Sequence, residues 1–221
     1  MGKVLKDIGV WMLLWCSGWG IYHLLLARDI NYITAPLTSA LYFSVASVAV
    51  LLLYKELLPA MHPFVRPLPW LAAVLSVAAG LLIYLLLPLF FAPPEGLMLL
   101  NPDMFFLDLN LRYLFAKPFE IVFQQVLILL LVALLVKRGV PLLATCLLCC
   151  LTFGAAHLYL VVRNGLLMGG YFAASAIVAG FVFPYLMLRV RNGLIYASSI
   201  HLLFYIFTGA LCRLCPTALI S

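Results

Sequence analysis

The sequence predicts an all-α fold, a polytopic membrane helical bundle of about seven transmembrane helices, and three observations predict it. Of 221 residues, 67% are hydrophobic and 9% charged, and the mean hydropathy is +1.20. That leaves too little polar surface to face water, so lipid must cover the chain. Apolar runs recur between the charges at roughly the 20-residue length that crosses a hydrocarbon core. The thirteen Lys and Arg stand singly or in pairs between those runs, as topology determinants do. The same scatter lacks the basic tract with interleaved aromatics that nucleic acid would require, so no nucleic-acid partner is expected.

The runs fall at roughly 9–27, 33–54, 69–92, 118–136, 140–162, 165–187 and 192–211. The first follows Lys3 and Lys6 and is too long for the core of a cleaved signal peptide, so it reads as a retained span. Trp11, Trp15 and Trp19 recur along it at i, i+4, a stripe for packing or lipid contact, and His23 reads as an interfacial histidine. The segment 93–117 between the third and fourth runs is more than a linker. Asn101, Pro102 and Asp103 mark a helix start. Its mixture of Phe, Leu, Asp and Arg suits an interfacial helix, serving either as a lid or as a connector resting on lipid.

The fourth and fifth runs are joined by a short turn around Lys137, Arg138 and Gly139. The sixth carries Gly165 and Gly169 at G-x-x-x-G spacing, followed by Ala173, Ala174, Ala176 and Gly180, which reads as close helix packing. Cys16, Cys146, Cys149 and Cys150 lie within runs and act as small apolar residues. Cys212 and Cys215 form a C-x-x-C for which packing or an incidental disulfide is the simpler reading. The whole chain, 1–221, reads as one integral membrane domain.

Orientation follows from the positive-inside rule. With a cytoplasmic N-terminus, Lys3, Lys6, Lys55, Arg66, Lys137, Arg138, Arg189 and Arg191 lie inside. Arg28, Arg112, Lys117, Arg163 and Arg213 then lie outside.

Three ionisable residues fall inside late runs: Glu120, His157 and His201. At ~1.5 Å of rise per residue their depths are about 3, 8 and 15 Å below the outer edge, so all three can converge in the outer half of the bilayer. A carboxylate with one or two imidazoles in a half-dry pocket can hold a water, take its proton and stabilise an oxyanion. The plainer alternative is that each satisfies a neighbouring backbone group.

These residues resemble the motifs of a family. FGAAH, Phe153 to His157, is similar to the F-x-x-x-H motif of the CPBP family, the CAAX-protease and bacteriocin-processing (Abi-type) glutamic intramembrane proteases. FEIVFQ stands where that family has E-E-x-x-x-R, and HLLFY, His201 to Tyr205, where it has H-x-x-x-N or H-x-x-x-D. The order and the placement on successive runs match over about residues 115 to 210, and residues 1–92 add three spans of general likeness. One acid and the arginine are missing, and Tyr205 replaces the terminal Asn or Asp. With Phe123 in register, Gln124 takes the arginine's place; one residue further, Gln125 does.

The resemblance implies an enzyme, a glutamic intramembrane endopeptidase of a bacterial inner (plasma) membrane. Glu120 would be the base, His157 its partner, and His201 with Tyr205 the oxyanion side, with Gln124 or Gln125 orienting Glu120. A site in the outer half implies the sortase-like (myxosortase) subtype, which removes C-terminal sorting anchors, so the expected partner is a membrane-anchored protein or peptide substrate. No cofactor is expected. A variant reading has Glu120, His157 and His201 ligate Zn²⁺. Two alternatives come from other classes: a catalytically silent CPBP-like scaffold or immunity protein, and a small transporter using the same residues as a proton relay.

Overall fold

A computed structural model describes residues 2–60, 67–90 and 111–214. Within them the chain forms seven α-helices and no strand: α1 Gly2–Leu26, α2 Pro36–Leu53, α3 Pro67–Phe90, α4 Leu111–Lys137, α5 Leu142–His157, α6 Tyr159–Arg189 and α7 Gly193–Leu214, with a 3₁₀ segment Lys55–Ala60 after α2. Six of them are long and apolar enough to cross a membrane, and α5, with 16 residues, is the shorter apolar helix among them. This is the expected helical bundle of a membrane protein. The interfacial helix expected over 93–117 lies outside the described residues for 93–110, and 111–117 are the first turns of α4.

The bundle is organised around α4. From Phe123 to Leu135 every residue of α4 is buried, and 83% of its most apolar window lies inside the bundle, against 17% for α1. Large apolar side chains on α1, α2 and α3, such as Leu13, Leu52 and Leu89, face outward instead, as lipid contact requires. α1 runs antiparallel to α4. Trp11 donates its indole N–H to the Leu127 carbonyl at 2.7 Å, and the Asp7 carboxylate takes two hydrogen bonds from Arg138 at 2.6 and 3.1 Å. Gly18 lets the Phe123 ring press against the α1 backbone; a Cβ there would lie 2.6 Å from the ring.

α5 and α6 form a tight antiparallel hairpin, and its glycines mark the seam. A Cβ on Gly154 would meet Ile177, one on Gly180 the backbone of Cys149 and Cys150, and one on Gly169 the backbone of Leu160 and Val161. The run expected at 140–162 is interrupted at Leu158, where two backbone bonds close three residues back, Leu158 to Ala155 and Val161 to Leu158. The chain reverses at Gly165, whose φ of 79° and ψ of 169° belong to a region that essentially glycine alone occupies. Gly165 is therefore the turn and not half of a packing pair with Gly169. Its would-be Cβ meets nothing.

One further expectation needs correction. α4 begins at Leu111 and runs through Pro118 without stopping. Lys117 is thus inside the bundle, 6% exposed, and so is Arg213 in α7, so neither is a freely hydrated flanking cation. Of the C-x-x-C pair, Cys212 is buried as a free thiol, and Cys215 lies outside the described residues.

The hairpin seam separates two adjacent glycines. Gly169→Ala places a methyl within 2.3–2.6 Å of the α5–α6 backbone, and overpacking of this kind costs about 1–3 kcal/mol. Gly170→Ala meets nothing within 4 Å and should stabilise the helix by up to about 1 kcal/mol. Thermal unfolding in detergent should therefore move in opposite directions for the two variants.

Candidate functional site

Glu120 lies nine residues into α4, about 13 Å along the helix, and is deeper than a start at Pro118 would put it. An ionised carboxylate at such a position costs a few kcal/mol unless it is paired. Here it is paired completely. Lys117, one turn earlier, donates from Nζ to both carboxylate oxygens, at 2.9 Å to Oε1 and 2.7 Å to Oε2. Gln124, one turn later, donates from Nε2 to Oε1 at 2.6 Å, and the Tyr32 hydroxyl donates to Oε2 at 2.5 Å. Each oxygen accepts two bonds, which accounts for the group at 2% exposure.

The ammonium is held as carefully as the carboxylate. Lys117 Nζ lies 3.9 Å from the centre of the Tyr205 ring, 5.6 Å from Tyr113 and 5.9 Å from Tyr32. Three ring faces within about 6 Å supply cation–π attraction that grows where water is excluded. Tyr32 reaches this point because the α1–α2 loop is folded by its own polar residues. Asn31 Oδ1 accepts from the backbone N–H of Ile33 and Thr34, and Arg112 at the start of α4 donates to the Ile33 carbonyl.

A cavity of about 490 Å³ opens beside this pair. Lys117, Glu120 and Gln124 of α4 form one wall, together with Tyr32 and Tyr205. The opposite walls are Trp15, Trp19 and His23 of α1 and His157 with Arg163 of the α5–α6 hairpin. Among the described lining residues Glu120 is the one acid. Volumes of a few hundred Å³ with an apolar lining and few convergent polar groups are typical of ligand sites.

The three expected site residues are therefore only partly brought together. Glu120 and His157 share the cavity, though no hydrogen bond joins them. His157 Nδ1 is 2.8 Å from the Phe153 carbonyl, and its ring meets that of Phe153 edge-on at 4.5 Å. A carbonyl can only accept, so Nδ1 carries the proton, and in the neutral ring Nε2 keeps a lone pair. His201 is one layer behind, away from the cavity lining. Its Nδ1 accepts from Gln125 Nε2 at 3.0 Å, and its ring stacks on Tyr205 at 5.4 Å. The two glutamines thus divide the work: Gln124 holds Glu120, and Gln125 holds His201. The zinc set Glu120, His157, His201 is not assembled; among the described residues no group of three or more His, Cys, Asp or Glu is placed to hold a metal ion.

Lys117, Tyr32 and Tyr113 were missing from the expected site. Lys117 and Glu120 at i, i+3 in a continuous helix was the available signal, masked by reading Pro118 as a boundary. Nothing local to Tyr32 announces its partner 88 residues later. Trp15, read as packing or lipid contact, is also a cavity wall; its ring lies 5.6 Å from Phe153 and 6.2 Å from His157.

Fold and site together describe an integral membrane helical bundle with a buried, saturated ion pair in the wall of an internal cavity. Compared with protein-family models, curated proteins and solved structures, the chain matches none.

The pairing sets a double-mutant test. Lys117→Met alone leaves a buried carboxylate without its counter-charge and should cost about 3–5 kcal/mol. Adding Glu120→Gln removes the orphaned charge and should recover most of that loss, read by thermal unfolding of the purified chain in one detergent. Losses that simply add would overturn the pairing.

Proposed function

We propose that the chain is an intramembrane endopeptidase of glutamic type that cleaves a membrane-anchored protein. The observation that carries this reading is one cavity whose described acid is Glu120 and whose facing wall offers His157 with Nε2 as its free lone pair. A water between them can lose its proton to carboxylate or imidazole as it attacks a peptide carbonyl. The C–N bond then breaks and that proton passes to the departing amine. Lys117 Nζ and the Tyr32 hydroxyl, already donating beside Glu120, are the groups suited to a developing oxyanion. His201 is a positioning residue in this scheme, holding Tyr205 against Lys117 by stacking. A base at Glu120 fits the register of the CPBP resemblance that puts Glu120 at the first acid and Gln125 at the arginine position, although the amide that holds Glu120 is Gln124. An N-terminus in the cytoplasm would set the site toward the outer face of an inner membrane, where C-terminal sorting anchors are removed.

A second reading has a specific observation in its favour. Both oxygens of Glu120 are fully occupied by donors, and a base must release one of them to take a proton. A catalytically silent scaffold or immunity protein, with Glu120 kept only to neutralise Lys117, has no such requirement.

The experiment compares anchored exported proteins in host cells carrying wild type, His157→Ala, or the charge-balanced Lys117→Met/Glu120→Gln pair, by intact mass. At equal protein levels the peptidase reading expects anchor removal to slow by roughly 10²-fold or more in both, the usual contribution of a proton-transfer group. Normal processing in both variants selects the silent scaffold.

A further inference from the structure

The chain from Ala156 to Asn164, where α5 passes into α6, presents one face to the cavity. His157, Leu160 and Asn164 line it, and so do Ala156, Tyr159 and Arg163, at the three- and four-residue spacings that share a helix face. His157 is at the inner end of that face, opposite Glu120. Arg163 and Asn164 are at its outer end, just before the reversal at Gly165. α1 follows the same direction, since Trp15 stands beside Phe153 and His157. His23, in the last turn of α1, therefore comes level with Arg163; both line the cavity and both are exposed.

Charge differs between the two ends. At the inner end Lys117 and Glu120 cancel. At the mouth Arg163 brings a cation, and no acid stands beside it among the described lining residues. A cleft lined by one sign of charge between apolar walls, here Trp19 and Leu26, focuses that field on whatever enters. His23 and Asn164 add N–H groups, and a guanidinium matches the two oxygens of a carboxylate.

We propose that Arg163, assisted by His23 and Asn164, is a specificity-determining subsite that binds a carboxylate side chain, Asp or Glu, of the peptide in the cavity. Six residues separate His157 from Arg163, roughly 9–12 Å at the rises of α and 3₁₀ turns. An extended peptide covers that distance in about three residues. The preferred acid is therefore about three positions from the bond held at Glu120 and His157, on the side leading out of the membrane. That placement rests on the peptidase reading; the anion subsite itself does not. Because Arg163 shares a cavity face with His157, a chain lying along that face meets both, whereas a phospholipid headgroup has no such tie to His157.

The test uses the full chain in phosphatidylcholine vesicles at low salt, with synthetic single-span Leu/Ala peptides carrying Glu, Gln or Lys at the outer end of the span. Binding is read by energy transfer from the chain's tryptophans to a dansyl group on the peptide, and cleavage separately by mass. The Glu peptide should bind about five-fold more tightly than the Lys peptide, the upper end of what a partly exposed ion pair gives. Arg163→Gln should level the two, and Arg163→Glu should reverse their order, each at unchanged thermal stability. Equal binding of the Glu and Lys peptides to wild type, a preference that survives Arg163→Gln, or no binding of any peptide overturns the subsite. A preference lost when phosphatidylglycerol is added to the vesicles assigns Arg163 to lipid phosphate and overturns it too. His157→Ala should keep the binding preference and lose cleavage. A preference for Glu without cleavage by wild type retires the peptidase reading and leaves the subsite standing.

Discussion

The constraint on which the rest depends is that a carboxylate and an ammonium one turn apart must both be kept out of lipid. Lys117 and Glu120 neutralise one another, yet desolvating two ions costs several kcal/mol each and mutual attraction alone seldom returns it. Further donors and ring faces make up the difference, and they come from separate parts of the chain: Tyr32 from the α1–α2 loop, Tyr113 and Gln124 from α4 itself, Tyr205 from α7. Satisfying one pair therefore fixes the relative positions of two helices and a loop.

That requirement explains why α4 is central. Leu, Val and Ile from 126 to 135 would be equally content in lipid, so apolarity alone does not call for burial in a membrane. The polar turn at 117–125 does call for it. α1 and α2 close on that turn through specific devices: the Gly18 recess for Phe123, the indole bond from Trp11 to Leu127, and the Phe43 ring 5.8 Å from that of Phe123. The α5–α6 hairpin relies chiefly on glycines, which bring its two arms together at Gly154, Gly169 and Gly180, with the Cys150 thiol donating to the Ile177 carbonyl across the seam.

How far the sequence revealed this divides along the same physical line. Helix existence and order were legible, since each depends on a run of apolar residues that any reader of hydropathy finds. The reversal at Gly165 was legible as a boundary and misread as a packing position, because a glycine's φ is not written in its neighbours. Lys117 was misassigned for a definite reason. A lysine before a proline at the edge of an apolar run has the appearance of a flank, and only the six earlier helical residues from Leu111 turn it into an interior cation. Glu120, His157 and Tyr205 were legible as cavity residues from motif spacing, while the retreat of His201 behind Tyr205 depends on a ring stack and an amide that spacing does not encode. Arg213 repeats the lesson of Lys117 at the far end of α7: a charge count per loop treats every cation near a span end as hydrated.

The two sides of the cavity are built differently. Electrostatic groups act most strongly where water is scarce, and the α4 wall is saturated and built from long-range contacts. On the other side α1 meets α5 through the Trp15 ring, 5.6 Å from Phe153 and 6.2 Å from His157, with Cys16 and Gly20 exposed beside it. The Glu120 carboxylate is therefore held from α4 and the α1–α2 loop alone, by Lys117, Gln124 and Tyr32. Freeing one of its oxygens for a proton requires one of those three donors to move, and Gln124, which lines the cavity and carries no charge, is the least costly to displace.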